Sequence, residues 1–388
     1  MMRKVQIRNY KSIPELDLEL GRITALIGSN GSGKSNILEA ITFVSAAAQN
    51  KLDNEFLASR GVRVTDTQFM PCAFGDSSPP SSEAAKTINI SVDGDDNVHF
   101  SCELSVDESG SFPKWTQNLT ILANDLLPIL RPPKPQHRAS KITAELVERM
   151  FKEVPSEITD HFFKMRAGTL PGFLIYAPEN SALRTFQAEG QILPLGVRGE
   201  GLFAHLKGLS SPKNKARLGK IKECLSLIEW YEDFDIPEGL SPGERSIRIR
   251  DRYLAAGASF DQRSANEGFL FLLFYLTLFI SPDTPAFFSI DNIDNSLNPK
   301  LCVALLRQLT ILAKEYDKQV ILTTHNPAVL DGLNLHDAEE RLLVVDRNKA
   351  GYTRVHRIDP PKPNGDEPVV SLSEAFMRGY IGGLPKNF

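Results

Sequence analysis

The sequence predicts an α/β fold whose mixed sheet has a parallel core and an antiparallel part. Residues 22–27 form a short apolar strand, residues 28–35 are rich in glycine and serine, and a helical pattern starts directly afterwards. Two later apolar runs of strand length, residues 285–291 and 318–325, indicate further buried strands. The alternating pattern of residues 5–20 predicts antiparallel strands before the glycine-rich segment.

The glycine-rich segment reads Gly-Ser-Asn-Gly-Ser-Gly-Lys-Ser and fits the phosphate-loop pattern GxxxxGK[ST] at every fixed position. In such a loop, successive backbone N–H groups surround an anion, and the following helix N-terminus adds partial positive charge. We expect Lys34 to reach the β- and γ-phosphates of ATP and the Ser35 hydroxyl to bind Mg²⁺. The alternative is an accidental Gly/Ser-rich turn. The expected phosphate-binding residues are Gly28, Ser29, Asn30, Gly31, Ser32, Gly33, Lys34, Ser35 and Asn36.

Composition argues against several classes of protein, among them non-specific nucleic-acid binders, zinc proteins and disulfide-rich proteins. The chain has 388 residues, enough for two or three units, and a net charge of −4, which gives no support for non-specific coating of nucleic acid. A local basic patch is compatible with that balance. The four cysteines are Cys72, Cys102, Cys224 and Cys302. They are far apart in the sequence and form no CxxC pair, which argues against a zinc site and against a disulfide framework. This pattern favours a protein of the reducing cytoplasm.

No membrane partner is expected. The N-terminus runs into a strand rather than into an apolar signal-peptide core. The uncharged run 268–280 is too short to span a bilayer, so we expect a helix that is buried on all sides.

The N-terminal strands are predicted in pairs. Residues 5–10 and 16–20 form a hairpin before the phosphate loop, and residues 87–92 and 98–104 flank an Asp-Gly turn. The second pair should extend the first sheet as antiparallel strands.

The middle of the chain changes character near residue 130. Residues 131–135 are a proline-rich linker, and residues 172–178 return to strand character. No heptad pattern persists, so a long coiled coil is not expected. Helical periodicity is predicted for residues 142–151, 158–165, 201–209 and 216–230.

Residues 246–252 alternate, which places Arg248, Arg250 and Arg252 on one strand face. One interpretation is the solvated face of an edge strand. The other is a basic stripe that meets phosphates or an acidic partner.

Two strands near the C-terminal end carry polar residues at their carboxyl ends. Asp291 follows an apolar strand and is expected near the magnesium ion held by Ser35. The alternative for Asp291 is a helix cap. His325 ends the next buried strand, a position where a lone histidine is more often structural than catalytic. Residues 341–346 and 352–358 are predicted as a last strand pair.

Together, these motifs resemble the ABC-type ATPases of the RecF and SMC group. More narrowly, they resemble the compact branch related to overcoming-lysogenization-defect (OLD) ATPases, which includes the ATPase subunit of Septu anti-phage systems. The resemblance is strong at both ends of the chain and loose in the middle. It is carried by residues 7–13, 28–41, 289–299, 323–327 and 379–383.

The resemblance implies a P-loop NTPase with an ABC-type mixed sheet and a mainly helical insertion without a long coiled coil. Residues 1–125 would form the N-terminal half of the ATPase head, residues 126–245 the insertion or lid, and residues 246–388 the C-terminal half.

The resemblance also assigns residues. Asn9, Lys11 and Ser12 would lie near the adenosine or α-phosphate, and His325 would be the switch histidine that senses the γ-phosphate. Two subunits of this family sandwich two ATP molecules, and each γ-phosphate is contacted by the partner's signature loop. That loop corresponds here to Asn266 and Gly268, where the family usually has Ser-x-Gly, and residues 295–297 would face the dimer partner.

A departure from the family concerns Asn292, which follows Asp291 where the family has a glutamate that polarises the attacking water. An amide cannot accept that proton, so slow hydrolysis is expected unless Asp294 or a partner supplies a carboxylate. Gln68 is the candidate for the glutamine that lines the Mg²⁺ site.

The resulting hypothesis is a cytoplasmic, ATP-dependent dimerising switch ATPase. It would control a separate effector, with a nuclease favoured, in anti-phage defence or DNA maintenance. After His325, 63 residues remain (388 − 325), too few for the appended nuclease domain of OLD proteins. The alternatives are a RecF-like repair factor that binds DNA and a pseudo-ATPase scaffold.

Overall fold

The computed structural model describes residues 1–72, 87–95, 98–107, 114–122, 170–186, 190–237, 247–360 and 370–384. The strands are β1 Met2–Tyr10, β2 Ile13–Glu19, β3 Ile23–Ile27, β4 Ile88–Gly94, β5 His99–Asp107, β6 Lys114–Leu122, β7 Ile175–Tyr176, β8 Tyr231–Asp235, β9 Arg248–Asp251, β10 Phe287–Ile290, β11 Gln319–Thr324, β12 Glu340–Arg347 and β13 Thr353–Ile358. The α-helices are α1 Lys34–Ala47, α2 Asn54–Ser59, α3 Asn180–Leu183, α4 Leu202–Leu209, α5 Lys215–Cys224, α6 Glu267–Ile280, α7 Pro299–Glu315 and α8 Leu372–Met377.

The core sheet has the order β13-β12-β3-β11-β10-β7, and its strands run parallel except for β13 at the edge. Every residue of β3, β10 and β11 is buried, which explains why these strands are mainly apolar and do not alternate with polar residues. The carboxyl ends of β3, β10 and β11 therefore meet at one edge of the sheet, where the phosphate loop also begins.

The second sheet is antiparallel, in the order β2-β1-β4-β5-β6. The hairpin before the phosphate loop and the strand pair around the Asp-Gly turn are both confirmed. Helix α1 packs between the two sheets, and residues 37–47 of this helix are buried. The mixed architecture predicted from the sequence is thus confirmed.

Helix α6 is the buried apolar helix that the sequence predicts. Asn266 caps its N-terminus by accepting a hydrogen bond from the Phe269 N–H, and residues 268–280 are all buried. Helix α7 is amphipathic and begins at Pro299 after the Asn298 cap. No helix in the described ranges combines the length and the apolar character needed to cross a bilayer.

The described part of the middle segment packs against the parallel sheet and the C-terminal helices. Strand β7 pairs with β10 as the edge of the parallel sheet, and α4 and α5 share one hydrophobic core with α6 and α7. The described residues 170–186 and 190–237 therefore share their sheet and hydrophobic core with the C-terminal part of the chain. The expected linker 131–135 and the helices at 142–151 and 158–165 lie outside the described residues.

The arginine-rich strand β9 pairs with β8 in a small antiparallel sheet. Arg250 forms an ion pair with Asp233 at 2.6 Å across this sheet, and Arg252 donates to the Tyr231 carbonyl. These contacts favour the interpretation of a solvated strand face.

Candidate nucleotide site

The phosphate loop connects β3 to α1, and its glycines are required by geometry. Gly31 and Gly33 have φ of 72° and 112°, which side-chain-bearing residues rarely adopt. A Cβ at Gly28 would lie 2.0 Å from the Val345 carbonyl oxygen, and one at Gly33 would lie 2.1 Å from Thr353 Oγ1. The loop is therefore held closely against β12 and β13.

The loop borders a crevice of about 300 Å³ that gathers the two distant halves of the predicted site. The predicted residues at its wall come from the loop, from the end of β10 and from the end of β11. The lining consists of Asn30, Gly31, Ser32, Gly33, Lys34, Ser35, Asn36, Arg63, Asp291, Asn292, His325 and Arg347.

The Lys34 ammonium is turned back onto the loop. Its Nζ donates to the carbonyl oxygens of Gly28 at 2.8 Å and Ser29 at 3.1 Å. Burial lowers the pKa of Lys34 to about 8, against the opposing effect of the Asp291 and Asp294 carboxylates. An anion in the crevice would offer this ammonium a better partner than two carbonyls.

The Asp291 carboxylate lies beside Ser35 and is fixed by β11. Ser35 Oγ donates to one carboxylate oxygen at 3.4 Å, and Thr323 Oγ1 donates to the other at 2.5 Å. Thr323 in turn accepts a hydrogen bond from the Asn292 N–H at 2.8 Å. Thr323 was not predicted as a site residue, although its place at the carboxyl end of a core strand could have indicated it.

Asp294 fixes the backbone at the end of β11, where His325 follows. Its Oδ1 accepts hydrogen bonds from Thr324 Oγ1 at 2.6 Å and from the His325 N–H at 3.4 Å. Asp294 is not part of the crevice wall, whereas His325 is. Partial burial and the nearby Lys34 lower the pKa of the His325 imidazole, which favours its neutral form at pH 7.

The three N-terminal residues expected near the nucleotide do not line this crevice. Asn9 binds the backbone of residues 72 and 87, and Lys11 forms a 2.6 Å ion pair with buried Glu39. Ser12 is 1% exposed and accepts a hydrogen bond from the Asn36 side chain. Ser12 thus contacts the crevice wall from behind.

Two arginines in the wall were missed by the sequence analysis. Arg63 is two-thirds exposed and forms a 2.8 Å ion pair with Glu39, and Arg347 ends β12. Both bring positive charge to a crevice suited to a triphosphate. The position of Arg347 at a core-strand end was a usable signal, whereas Arg63 follows a helix that no motif marks.

The remaining expected residues lie elsewhere. Asn266 and Gly268 are not part of the crevice wall. A Cβ at Gly268 would lie 3.2 Å from the Ser296 carbonyl oxygen, so the start of α6 adjoins the segment 295–297. Gln68 belongs to the short 3-10 helix Thr67–Phe69, but its side chain lies outside the described part of the structure.

The residues present fit a magnesium-bound triphosphate. The ends of β10 and α1 contribute a carboxylate and a hydroxyl within 3.4 Å of each other, and oxygen ligands of this kind suit Mg²⁺, which takes few protein ligands beside phosphate and water. A Cβ at Gly31 would meet nothing within 4 Å, so the loop is open on its outer side.

Two family models of ATPase-type domains match separate parts of the chain. Residues 1–104 match the family model of an AAA ATPase domain, and residues 236–331 match that of an AAA domain whose description cites the AbiEii toxin of a Type IV TA system. The chain is 27% identical over 127 residues to an OLD nuclease of Thermus scotoductus, which is 30% of this chain and 22% of that protein. It is 31% identical over 64 residues to the DNA replication and repair protein RecF of Phocaeicola vulgatus, which is 16% of this chain and 17% of that protein. The chain thus spans under a quarter of the length of these two curated relatives.

The fold is that of an SMC head. The crystal structure of an SMC head bound to the C-winged helix domain of ScpA superposes with a TM-score of 0.56 at 15% identity, and the match covers 92% of this chain and 98% of that one.

Proposed function

Starting from a chain that resembles the ABC-type ATPases of the RecF, SMC and OLD group, we propose that it is an ATP-dependent dimerising switch with slow hydrolysis. In this proposal it acts in the cytoplasm on a separate effector, in anti-phage defence or DNA maintenance. The observation that carries the proposal is the shared crevice of Lys34 and Asp291, which lie 257 positions apart in the sequence.

Binding of ATP uses the groups already in place. The loop N–H groups and the start of α1 receive the phosphates, and Lys34 turns from the Gly28 and Ser29 carbonyls toward them. Ser35 and Asp291 would hold Mg²⁺, and the ion would supply neutralisation of the charge that develops on the phosphates. Arg63 and Arg347 add positive charge at the wall.

Hydrolysis is slow because the wall supplies an amide where a base is needed. Asn292 can orient a water molecule through its side chain but cannot accept a proton from it. Asp294 does not replace the missing base, because it does not line the crevice and its Oδ1 is engaged by Thr324 and the His325 N–H. We expect His325, whose N–H donates to Asp294, to contact the γ-phosphate.

Dimer closure links the nucleotide to function. The signature residues Asn266 and Gly268, at the N-terminus of α6, would contact the γ-phosphate held by a second copy. Those contacts exist only in the closed state, so ATP shifts the population toward the dimer.

The effector is proposed to be a nuclease or another toxic protein. The match to an OLD nuclease and the family description that cites the AbiEii toxin support this direction. The RecF match supports the alternative of a DNA-binding repair factor. Arg250 does not add to that alternative, because it is paired with Asp233 within the chain.

The test is to purify the chain together with the product of the neighbouring reading frame, with and without ATP, and to measure mass by light scattering and phosphate release. We expect an ATP-dependent mass increase, slow turnover, and loss of both in Lys34→Ala. A Lys34→Ala variant that still binds nucleotide and associates would contradict the site assignment. Salt-dependent binding of plain duplex DNA in the ATP state would instead favour the repair factor.

A further inference from the structure

The phosphate loop is held from behind by a residue near the other end of the chain. Thr353, the first residue of β13, is 2% exposed, and its Oγ1 donates a 2.8 Å hydrogen bond to the Ser32 carbonyl oxygen. The two residues are 321 positions apart. The Thr353 N–H also donates to the Ser12 carbonyl at 2.8 Å, so β13 is fastened both to the loop and to the start of β2.

The hydrogen bonds around Thr353 have one consistent direction. A hydroxyl has a single proton, and Thr353 gives its proton to the Ser32 carbonyl, so the 2.7 Å bond between Ser12 and Thr353 must be donated by Ser12. Ser12 Oγ in turn accepts from Asn36 Nδ2 at 2.8 Å, and Asn36 Oδ1 accepts from Arg63 at 3.5 Å.

This relay therefore runs from Arg63 and Asn36 in the crevice wall, through Ser12 and Thr353, to the carbonyl of Ser32. Bonds in such a chain polarise one another, and its two hydroxyls are buried away from competing water.

We propose that Thr353 is a positioning residue that keeps the phosphate loop in its anion-receiving form. In a trans peptide the C=O and the following N–H point in opposite directions. Fixing the Ser32 C=O toward Thr353 therefore points the Gly33 N–H away from β13, on the side where Gly33 lines the crevice. This inference rests on the proposed nucleotide site and deepens it.

The same contact gives a second reason for glycine at position 33. A Cβ there would lie 2.1 Å from Thr353 Oγ1 and 2.9 Å from its Cγ2. The space that a side chain at position 33 would occupy is filled by Thr353, so the loop glycine and the β13 threonine form a matched pair.

The test compares Thr353→Val, which removes the hydroxyl at nearly constant shape, with Thr353→Ser, which keeps it. We expect Thr353→Val to weaken binding of MgADP and of inorganic tripolyphosphate by about 5- to 30-fold, because the buried Ser32 carbonyl loses its donor. Thr353→Ser should stay within about 3-fold of the wild type. Because the loop binds phosphates, the loss should be equal for both ligands.

Thr310→Val is the matched control. Thr310 is a buried threonine of α7 that donates to the Leu306 carbonyl, and its loss should leave nucleotide affinity unchanged. If Thr353→Val fails to fold, Ser12→Ala serves in its place. It removes the donor to Thr353 and, with it, the acceptor of the Asn36 amide, and it should weaken tripolyphosphate binding by about 2- to 5-fold. Wild-type affinity in a folded Thr353→Val protein would overturn this inference alone, whereas a wild type that binds neither ligand would overturn the proposed function.

Discussion

Asn292 adopts a backbone conformation that suits its side chain. Its φ is 55°, in the left-handed region that asparagine and aspartate tolerate best after glycine. The residue lines the crevice, and its N–H is tied to Thr323. A glutamate at this position would meet a backbone less suited to it, so the amide and the local geometry agree with each other.

We expect Asn292→Glu to raise the turnover number, since a carboxylate here could act as general base. General-base assistance is typically worth about 10²- to 10⁴-fold, and the unfavourable φ makes the lower end the expectation. Steady-state phosphate release under saturating MgATP measures the effect. Asn292→Gln, which has the length of glutamate without its charge, is the control, and an equal rate in both variants would argue against a missing base.

The lowered pKa of Lys34 leads us to expect that nucleotide binding depends on pH. Its pKa in the free protein is about 8, and phosphates beside the ammonium would raise it. Between the free and bound pKa values, binding takes up a proton, so the affinity is full below pH 8 and falls as the pH rises above it. The lowered pKa of His325 keeps its imidazole neutral over the same pH range.

Calorimetry of MgADP binding between pH 7 and 9.5, in two buffers of different ionisation enthalpy, measures this proton uptake. Lys34→Arg keeps its charge throughout this range, so its affinity, though weaker, should not depend on pH. A wild-type affinity that is equally flat would show that Lys34 does not face the phosphates.

Among the α-helices in the described ranges, α6 is the one that packs most completely into the hydrophobic core. The residues proposed as the signature loop, Asn266 and Gly268, stand at its N-terminus. Its residues 268–280 are all buried, and the Phe279 ring makes an edge contact with Phe288 of β10 at a centroid distance of 5.3 Å. The strand β10 ends at Asp291. The packing of α6 therefore fixes the distance between the signature loop and the strand that supplies the proposed metal ligand.

Phe279→Ala should destabilise the protein by about 3–5 kcal/mol, the usual cost of removing a buried phenyl ring. Phe279→Leu keeps most of the volume and should cost about 1.5 kcal/mol or less. Ile311→Ala is the control, because Ile311 is 57% exposed and its loss should change stability by no more than about 0.5 kcal/mol. Urea unfolding measures all three, and equal midpoints for Phe279→Ala and Ile311→Ala would contradict a fully packed α6.

The whole molecule is proposed to work as a pair, and this can be tested by complementation. Each composite site would use Lys34 of one copy and Gly268 of the other. We expect Lys34→Ala and Gly268→Asp, each inactive alone, to recover ATP-dependent association and about one quarter of the wild-type phosphate release when mixed in equal amounts, because half of the dimers are mixed and each has one intact site.

If each ATP site were formed by a single copy alone, mixing the two variants would restore neither association nor phosphate release. The control mixes Lys34→Ala with Asp291→Asn, whose defects fall on the same side of the composite site. That mixture should stay inactive.

The sequence by itself determined the local parts of this protein. The phosphate loop is eight contiguous residues whose glycine spacing sets its backbone, and the burial of β3, β11 and α6 follows from mainly apolar runs that carry no charged residue within the strands or after the first residue of the helix. Asp291 and His325 could be placed because parallel strands bring their carboxyl ends to one edge.

The tertiary structure alone decided which distant residues support that loop. Arg63, Arg347, Thr323 and Thr353 reach the site or its back through sheet order and crossovers, and no local pattern encodes the order of strands. The same reason applies to Ser12, which was expected near the nucleotide and is buried behind the crevice wall. Its position depends on β13 packing against the start of β2, which no short stretch of sequence can specify.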